Sequence, residues 1–447
     1  MNEIQLCRAS IPPDKCKIPR RGSEGTMSAE TVLALAILIL AYFLIAVRKV
    51  RGRVIPSWAA ACLGAVLMLV FGVVSLSDAW DFIDFPVLFL LIGMMLMTAS
   101  LQYCGLFEIV VNAMMSRISD RRQFLTGVML VTAFLSAVTL NDAVVLILAP
   151  IVLRCCQKLH AEPVPYLVGV FISANIGCMA TITGAPHNAL VASQSGLGFL
   201  QYSVYAVPLT LICLGLSIFI LRRVYGDRLA REDHTEDEEV FSTQSVDRVR
   251  LCAVSAVAVA AVVLFAFSGY LGLELYQIAM AAGVISLIIT MTGRPSSAVF
   301  VVRHVDWTIL LFFIGLFVIT AGVVGSGLME GIASMFGFGD GNTPSVPGMM
   351  AFTVILSNLV SNVPAVMLIG QMLPMDGTVL WISLAVFASL AGNLTLIGAA
   401  TNIIVSNSCE RHHVHLDFVK YLKVGIPVTV LTSAVAAIYL MIIDIIL

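Results

Sequence analysis

The chain has 447 residues, of which 59% are hydrophobic and only 12% are charged. A soluble domain carries about 25% charged residues, and a globule has too little interior to bury so much apolar surface. With a net charge of −2 and no basic domain, the composition excludes a soluble enzyme, a disordered chain and a nucleic-acid-binding protein. It predicts an all-α polytopic membrane protein.

The first predicted element is a polar N-terminal tail over residues 1–28, which has no apolar core of its own and so does not resemble a signal peptide. Apolar segments that are long enough to cross a membrane follow, since a crossing helix needs about 20 apolar residues. The predicted crossings are residues 29–47, 55–75, 85–102, 165–193, 203–222, 249–268, 273–292, 306–324, 378–407 and 421–443.

Four apolar segments are interrupted near their middle by polar residues. Residues 123–157 and 348–374 are predicted to be re-entrant hairpins, each entering and leaving on one side, because irregular backbone at membrane depth is tolerated only inside protein or around a watery cavity. The crossings 165–193 and 378–407 contain Gly or Pro beside polar residues and are predicted to be broken helices.

Lys and Arg beyond the tail cluster on one face of this topology, and the loops on the opposite face contain none. The positive-inside rule makes the basic face cytoplasmic, which predicts a multi-pass protein of the cytoplasmic membrane. Residues 225–248 are rich in charge and are predicted to be a cytoplasmic linker. The basic residues of 1–26 would lie outside, so we interpret that segment as an upstream extension or a disordered tail.

The chain repeats itself on either side of the linker, over residues 29–224 and 249–447. Asp84–Glu108 aligns with Asp306–Glu330, and the polar interruptions of the two halves follow in the same order. Each half has five crossings plus one re-entrant hairpin, and this odd number predicts two inverted repeats. Inverted repeats with broken helices at the midplane are an architecture of secondary transporters, whereas an enzyme has no need of this symmetry.

The candidate binding residues lie at the hairpin tips and in the broken helices, where unpaired backbone N–H groups attract anions and unpaired carbonyl oxygens suit Na⁺. They are Asn141, Asp142, Thr181, Thr183, His187, Asn188, Ser361, Asn362, Thr395, Thr401 and Asn402. A Na⁺ ion is expected at Asn141, Asp142, Ser361 and Asn362. For each Asn and Thr the alternative is helix capping or interhelical hydrogen bonding.

Asp142 is the carboxylate predicted at mid-depth, where an acid is functional by default. It is expected to bind Na⁺ or to carry a proton, and the alternative is an N-cap for the second leg of the hairpin. His187 is expected to donate to an anion or to relay a proton; its alternative is a histidine that is bonded to a neighbouring carbonyl.

These motifs resemble the ion transporter superfamily, which includes arsenite permeases, type-D sodium/proton antiporters, citrate carriers and divalent-anion/sodium symporters. The resemblance rests on LNDAVVLILAPIV, NIGCMATITGAPHNALV, SNLVSNVPAVML and AGNLTLIGAATNIIV. It implies an elevator-type motion of the domain that bears the hairpins, and a homodimer. The sequence departs from the family at Ala185 and His187, where the family motif has Asp and Pro, and at Val363, where the sodium symporters have Thr.

The expected function is therefore a secondary active transporter of an anion or a metalloid oxyanion, coupled to Na⁺ or H⁺. The alternatives are a sodium/proton antiporter and, within the same class, an arsenite efflux protein. An intramembrane hydrolase is disfavoured because no crossing supplies a second acid to face Asp142. The expected partners are a small anionic solute and membrane lipid, without nucleic acid and without a cofactor besides the coupling ion.

Overall fold

The computed structural model describes residues 29–47, 49–50, 53–118, 120–229, 247–292, 296–328, 344–396, 402 and 417–446. The predicted tail 1–28, residues 230–246 of the linker 225–248, and Thr401 lie outside the described residues. Within the described part the chain is helical, apart from a two-residue antiparallel ladder that pairs Lys49–Val50 with Arg53–Val54. The prediction of an all-α protein is confirmed.

The helices account for the apolar segments and for several of the connections between them. In chain order they are α1 (Ala29–Val47), α2 (Ser57–Val70), α3 (Leu76–Phe82), α4 (Phe85–Tyr103), α5 (Leu106–Met115), α6 (Arg121–Val138), α7 (Asn141–Lys158), α8 (Val164–Gly177), α9 (Pro186–Ser195), α10 (Phe199–Val224), α11 (Gly226–Leu229), α12 (Arg248–Leu271), α13 (Leu275–Met291), α14 (Ser296–Arg303), α15 (Trp307–Gly325), α16 (Val346–Val360), α17 (Asn362–Gly370), α18 (Thr378–Ala391) and α19 (Phe418–Ile446).

Five helical segments among the described residues are long and apolar enough to cross a membrane. They are Phe85–Tyr103, Phe199–Val224, Arg248–Leu271, Ser296–Gly325 and Phe418–Ile446. Shorter apolar helices accompany them, including one leg of three of the four interrupted segments: Val164–Ala180, Val346–Val360 and Thr378–Ala391. Helices that are apolar on all sides are stable only when lipid or other protein covers them, which fits a protein of the bilayer.

Residues 76–84, which connect the predicted crossings 55–75 and 85–102, contain helix α3 (Leu76–Phe82). The side chain of Ser75 accepts a hydrogen bond from the backbone N–H of Asp78 at 3.1 Å. A serine in this position pairs one of the N–H groups that a helix leaves free in its first turn. This local cap explains a helix that the hydrophobic pattern alone did not indicate.

The polar interruptions coincide with breaks in the helices. Helix α6 ends at Val138 and α7 begins at Asn141, with Thr139 extended between them. Helix α16 ends at Val360 and α17 begins at Asn362. Between them Ser361 has a φ of 81°, a left-handed conformation that is uncommon for a residue with a side chain.

The broken helix of the first half has two short 3₁₀ turns between its two helical parts. Helix α8 ends at Gly177, the turns cover Cys178–Ala180 and Ile182–Gly184, and α9 begins at Pro186. Proline is tolerated at the first helical position because its missing N–H would be unpaired there in any case. The backbone polar groups around these turns therefore need partners outside a regular helix.

The contacts divide the chain into two compact units, and each unit draws on both halves of the sequence. The first contains Met1–Asp84 and Trp307–Thr343, and the second contains Phe85–Asp306 and Pro344–Leu447. In the first unit α15 packs against α1 and α2. In the second unit its counterpart α4 packs against α12 and α13.

Both of these packings depend on a glycine that lets two helix backbones approach closely. A Cβ atom on Gly93 of α4 would lie 2.3 Å from the backbone carbonyl carbon of Ala279 in α13. A Cβ atom on Gly315 of α15 would lie 2.7 Å from the same atom of Ala61 in α2. The aligned glycines therefore make equivalent contacts, which supports the internal repeat. The inverted orientation of the halves stays a prediction.

Substitution Gly93→Ala is expected to lower the melting temperature of the detergent-purified protein. Overpacking costs about 1–3 kcal/mol, and the obstructing atoms belong to the backbone of α13 and cannot rotate away. Substitution Gly215→Ala is the control, since a Cβ at this α10 position meets no atom within 4 Å. The control is expected to melt at or slightly above the wild-type temperature. Equal melting of both variants would contradict the close packing.

Candidate functional site

The first break packs against the end of α6, directly beside the first hairpin tip. Thr181 donates from its Oγ1 to the carbonyl oxygen of Ala137 at 2.6 Å. A Cβ atom on Gly184 would lie 2.4 Å from the carbonyl oxygen of Cys178 and 2.8 Å from that of Ser136. Only glycine fits there without a shift of the backbone, so the break is held tightly on the hairpin.

Asn188 ties the two sides of the first break together. Its Nδ2 donates to the carbonyl oxygens of Cys178 at 2.8 Å and Thr181 at 3.0 Å. These bonds satisfy carbonyls that the helix break would otherwise leave unpaired. Its Oδ1 is buried without a partner among the described residues. The break therefore keeps one inward side-chain oxygen that can accept a hydrogen bond or coordinate a cation.

The second break has the same internal bonds. Asn402 donates from its Nδ2 to the carbonyl oxygens of Gly392 at 2.6 Å and Thr395 at 2.9 Å. The sequence spacing between donor and acceptors is the one found around Asn188. Thr395 in turn donates from its Oγ1 to Oδ1 of Asn358 at 3.1 Å, and Asn358 aligns with Ala137.

A tyrosine from the following long helix braces each break. Tyr202 of α10 donates to the carbonyl oxygen of Met179 at 2.9 Å, and Tyr421 of α19 donates to that of Asn393. Met179 and Asn393 occupy aligned positions. Both breaks are thus fixed by an amide from within and a phenol from a neighbouring helix, which makes them preorganised features.

The two breaks are joined to each other by side chains from opposite halves of the sequence. Asn175 donates from its Nδ2 to Oδ1 of Asn393 at 3.0 Å and to Oδ1 of Asn402 at 3.2 Å. His187 lies with its Nε2 2.8 Å from Oγ of Ser389. Oγ of Ser389 also lies 3.0 Å from the carbonyl oxygen of Ala385, and the tautomer of His187 decides which group donates in the pair with His187.

His187 is therefore buried and bonded to a hydroxyl of the other half of the chain, with 3% of its surface exposed. The protein neighbour of Nε2 is a hydroxyl and not the neighbouring carbonyl considered as the alternative, while donation to an anion or relay of a proton stays a prediction. The bond assigns His187 a part in holding the two breaks together. Its second ring nitrogen remains the atom on which any role in proton transfer would depend.

The hairpin tips place their polar groups at helix N-termini. Asn141 accepts from the backbone N–H of Asp142 at 2.9 Å through its Oδ1. Asp142 is half-buried in the first turn of α7, where the helix dipole favours a negative charge. At the second tip Oδ1 of Asn362 is buried without a partner among the described residues. The expected Na⁺ site at both tips, with Ser361, stays a prediction.

The site is built mainly from neutral polar groups. In the described helices Lys and Arg lie near the helix ends, and the described residues contain no group of three or more His, Cys, Asp and Glu that could hold a metal ion. A bound ion would be met by amide, hydroxyl and carbonyl oxygens together with Asp142. Thr183, whose Oγ1 lies 3.4 Å from that of Thr181, belongs to this polar group.

Four polar residues that were not expected from the sequence each make a hydrogen bond at a break. They are Asn175, Asn358, Ser389 and Asn393. The available signal was a polar side chain within an apolar crossing, which is costly unless it is paired. Their partners lie in the other half of the sequence or in another helix. That information is not contained in the local pattern.

Long apolar helices with polar breaks of this kind define an integral membrane transporter. Residues 42–384 match the family model described as citrate transporter, and the chain therefore belongs to the citrate transporter family. This confirms the resemblance inferred from the motifs.

Two relatives and one solved structure extend this result. A protein of Mycobacterium tuberculosis described as an uncharacterized transporter is 30% identical over 427 residues, covering 92% of this chain and 98% of the relative. The silicon efflux transporter of Oryza sativa subsp. japonica is 27% identical, covering 84% and 90%. The structure of the Alcanivorax borkumensis YdaH transporter matches with a TM-score of 0.56 at 15% identity, covering 92% and 97%. The last likeness concerns the fold alone.

Proposed function

We propose that this protein is a secondary active transporter that moves an anion or a metalloid oxyanion across the cytoplasmic membrane, coupled to Na⁺ or H⁺. The observation that carries the proposal is the pair of matched breaks, each tied across by an asparagine, with the oxygen of Asn188 left available. Preorganised breaks offer helix N-termini to an anion and oxygen atoms to a cation within one site.

Asp142 supports the coupling part of the proposal. It is a carboxylate beside Asn141 at the first tip, while the aligned position of the second tip is Val363. A single acid can hold a cation or a proton in one transport state and release it in the other. We assign the cation to the tip residues Asn141, Asp142, Ser361 and Asn362, and the solute to the breaks.

The solute class is supported by the neutral character of the site and by the relatives. The family model is described as citrate transporter, and one relative is named a silicon efflux transporter. Citrate carries carboxylate and hydroxyl oxygens, and silicon dissolves in neutral water as silicic acid, so amide and hydroxyl groups can form hydrogen bonds to either solute. We propose that the domain with the hairpins moves in an elevator-type cycle and that the protein is a homodimer, as the family resemblance implies.

The test is uptake into proteoliposomes that contain the purified protein. The probes are citrate, succinate, sulfate, phosphate, arsenite and silicic acid, each with and without an inward gradient of Na⁺ or H⁺. Accumulation of at least one probe, driven by one of the gradients, is the expected result. Exchange of Na⁺ for H⁺ without accumulation of any probe would favour the runner-up, a sodium/proton antiporter, for which Asp142 is sufficient.

A further inference from the structure

Buried serine and threonine side chains in this protein commonly donate to the carbonyl one turn back in their own helix. Thr98 in α4 and its aligned partner Thr320 in α15 each do so at 2.8 Å, to Met94 and Leu316. Such a bond satisfies the hydroxyl locally and leaves little capacity for another group. These two residues define the ordinary arrangement.

Ten buried serine and threonine hydroxyls among the described residues depart from it, and four of these are matched between the two halves on the first legs of the hairpins. Thr132 and Ser136 in α6, and Thr353 and Ser357 in α16, are each 0% exposed. Their side-chain oxygens have no hydrogen-bond partner among the described residues. The segments that contain them, TAFLS and TVILS, align position for position. The same departure therefore occurs twice, at equivalent places.

Each pair occupies one face of its helix, because residues four apart lie one above the other. In the first half the pair borders the break: the carbonyl of Ser136 lies against Gly184, and the next residue, Ala137, accepts the bond from Thr181. In the second half Ser357 precedes Asn358, which accepts the bond from Thr395. Both pairs thus lie on a hairpin leg whose end contacts a break.

A buried hydroxyl without a partner destabilises a protein, because it gives up its bonds to water and gains none in return. A lone instance has little meaning, but four instances at repeat-matched positions beside two breaks point to a common use. Each half also has one amide oxygen of the same kind at its tip or break, Oδ1 of Asn188 and Oδ1 of Asn362. The four hydroxyls are each able to donate one hydrogen bond and to accept others.

We propose that Thr132, Ser136, Thr353 and Ser357 bind the transported solute through its oxygen atoms. The inference rests on the proposed function and extends its binding site by two helical turns along each hairpin. A hydroxyl both donates and accepts, so it can serve a charged oxygen or a protonated one. Such groups suit an oxyanion, a carboxylate or an undissociated oxyacid.

The experiment compares two double variants with a matched control in proteoliposomes. The test variants are Thr132→Val with Ser136→Ala, and Thr353→Val with Ser357→Ala. The control is Thr98→Val with Thr320→Val, which removes buried, repeat-matched hydroxyls that have protein partners. The probes are citrate, arsenite and silicic acid, together with any other solute from the uptake panel that the wild type accumulates.

Each test variant is expected to raise the KM for the transported probe about tenfold, a difference of about 1.4 kcal/mol. Its melting temperature without the probe should equal or exceed that of the wild type, because no protein bond is lost. The control is expected to melt lower and to keep the wild-type KM.

Three results would overturn the assignment. In the first, the probe is transported with an unchanged KM by both test variants. In the second, the test variants melt as low as the control, which would mean that the hydroxyls have protein partners. In the third, only the Na⁺ dependence shifts, which would make them cation ligands. If the wild type transports no probe at all, the proposed function itself fails, and this outcome is distinct from the other three.

Discussion

Substitution Asp142→Asn is expected to abolish gradient-driven uptake while leaving the folded protein intact. Asn keeps the shape of the side chain and removes its charge, so a bound cation loses its only carboxylate among the residues assigned to the site. We expect cation binding to weaken at least about a hundredfold, equivalent to about 2.8 kcal/mol. Loss of the favourable charge at the N-terminus of α7 costs only about 0.3–1 kcal/mol, so the melting temperature should change little.

The measurement separates coupling from solute binding. Uptake driven by a Na⁺ or H⁺ gradient should disappear in the variant, whereas the thermal response to the solute should persist. Substitution Asp444→Asn is the matched control, because this residue is exposed near the end of α19 and its loss removes the same charge. Wild-type coupling in Asp142→Asn would leave this residue only its favourable charge in the first turn of α7, whose N-cap position is Leu140.

Substitution Asn402→Ala is expected to be the most destabilising single change at the site. It removes the donor to the carbonyls of Gly392 and Thr395 and also the acceptor for Asn175. Hydrogen bonds between transmembrane helices contribute about 0.6 kcal/mol on average and up to about 1.7, and buried groups left unpaired add to the loss. We expect a total of about 2–4 kcal/mol.

Asn188→Ala supplies the comparison. It removes the same two bonds across the first break, to Cys178 and Thr181, but no bond between the breaks. Unfolding of both variants without solute should therefore show the larger loss for Asn402→Ala, by about 1 kcal/mol. If Asn188→Ala costs as much or more, the bond from Asn175 to Asn402 does not stabilise the protein.

The asymmetry between the breaks has a consequence for the transport cycle. Asn402 has its side-chain oxygen engaged by Asn175, while the matched oxygen of Asn188 is free of protein donors among the described residues. The bond between the breaks occupies the oxygen of the second half, whereas the matched oxygen of the first half keeps its capacity to accept. The two halves, although similar in sequence, therefore contribute different groups to the site.

The internal repeat shows which features of the site can be predicted from local sequence patterns. Alignment of the halves indicated the tips and breaks in advance, because a polar residue in an apolar segment is visible in the sequence. It did not indicate that Ser136 and Ser357 lack partners while Thr98 and Thr320 have them. That difference depends on which way each hydroxyl points, which is set by the packing around it.

Composition and the positions of polar interruptions determined the membrane class, the helical architecture and the location of the hairpin tips, since each of these is a property of a short segment in contact with lipid. Tertiary structure alone decided that Asn175 meets Asn393 and Asn402, that His187 meets Ser389, and that Gly93 admits the backbone of α13. The physical reason is that a buried polar group must find its partner in space, and these partners lie more than 180 residues away along the chain.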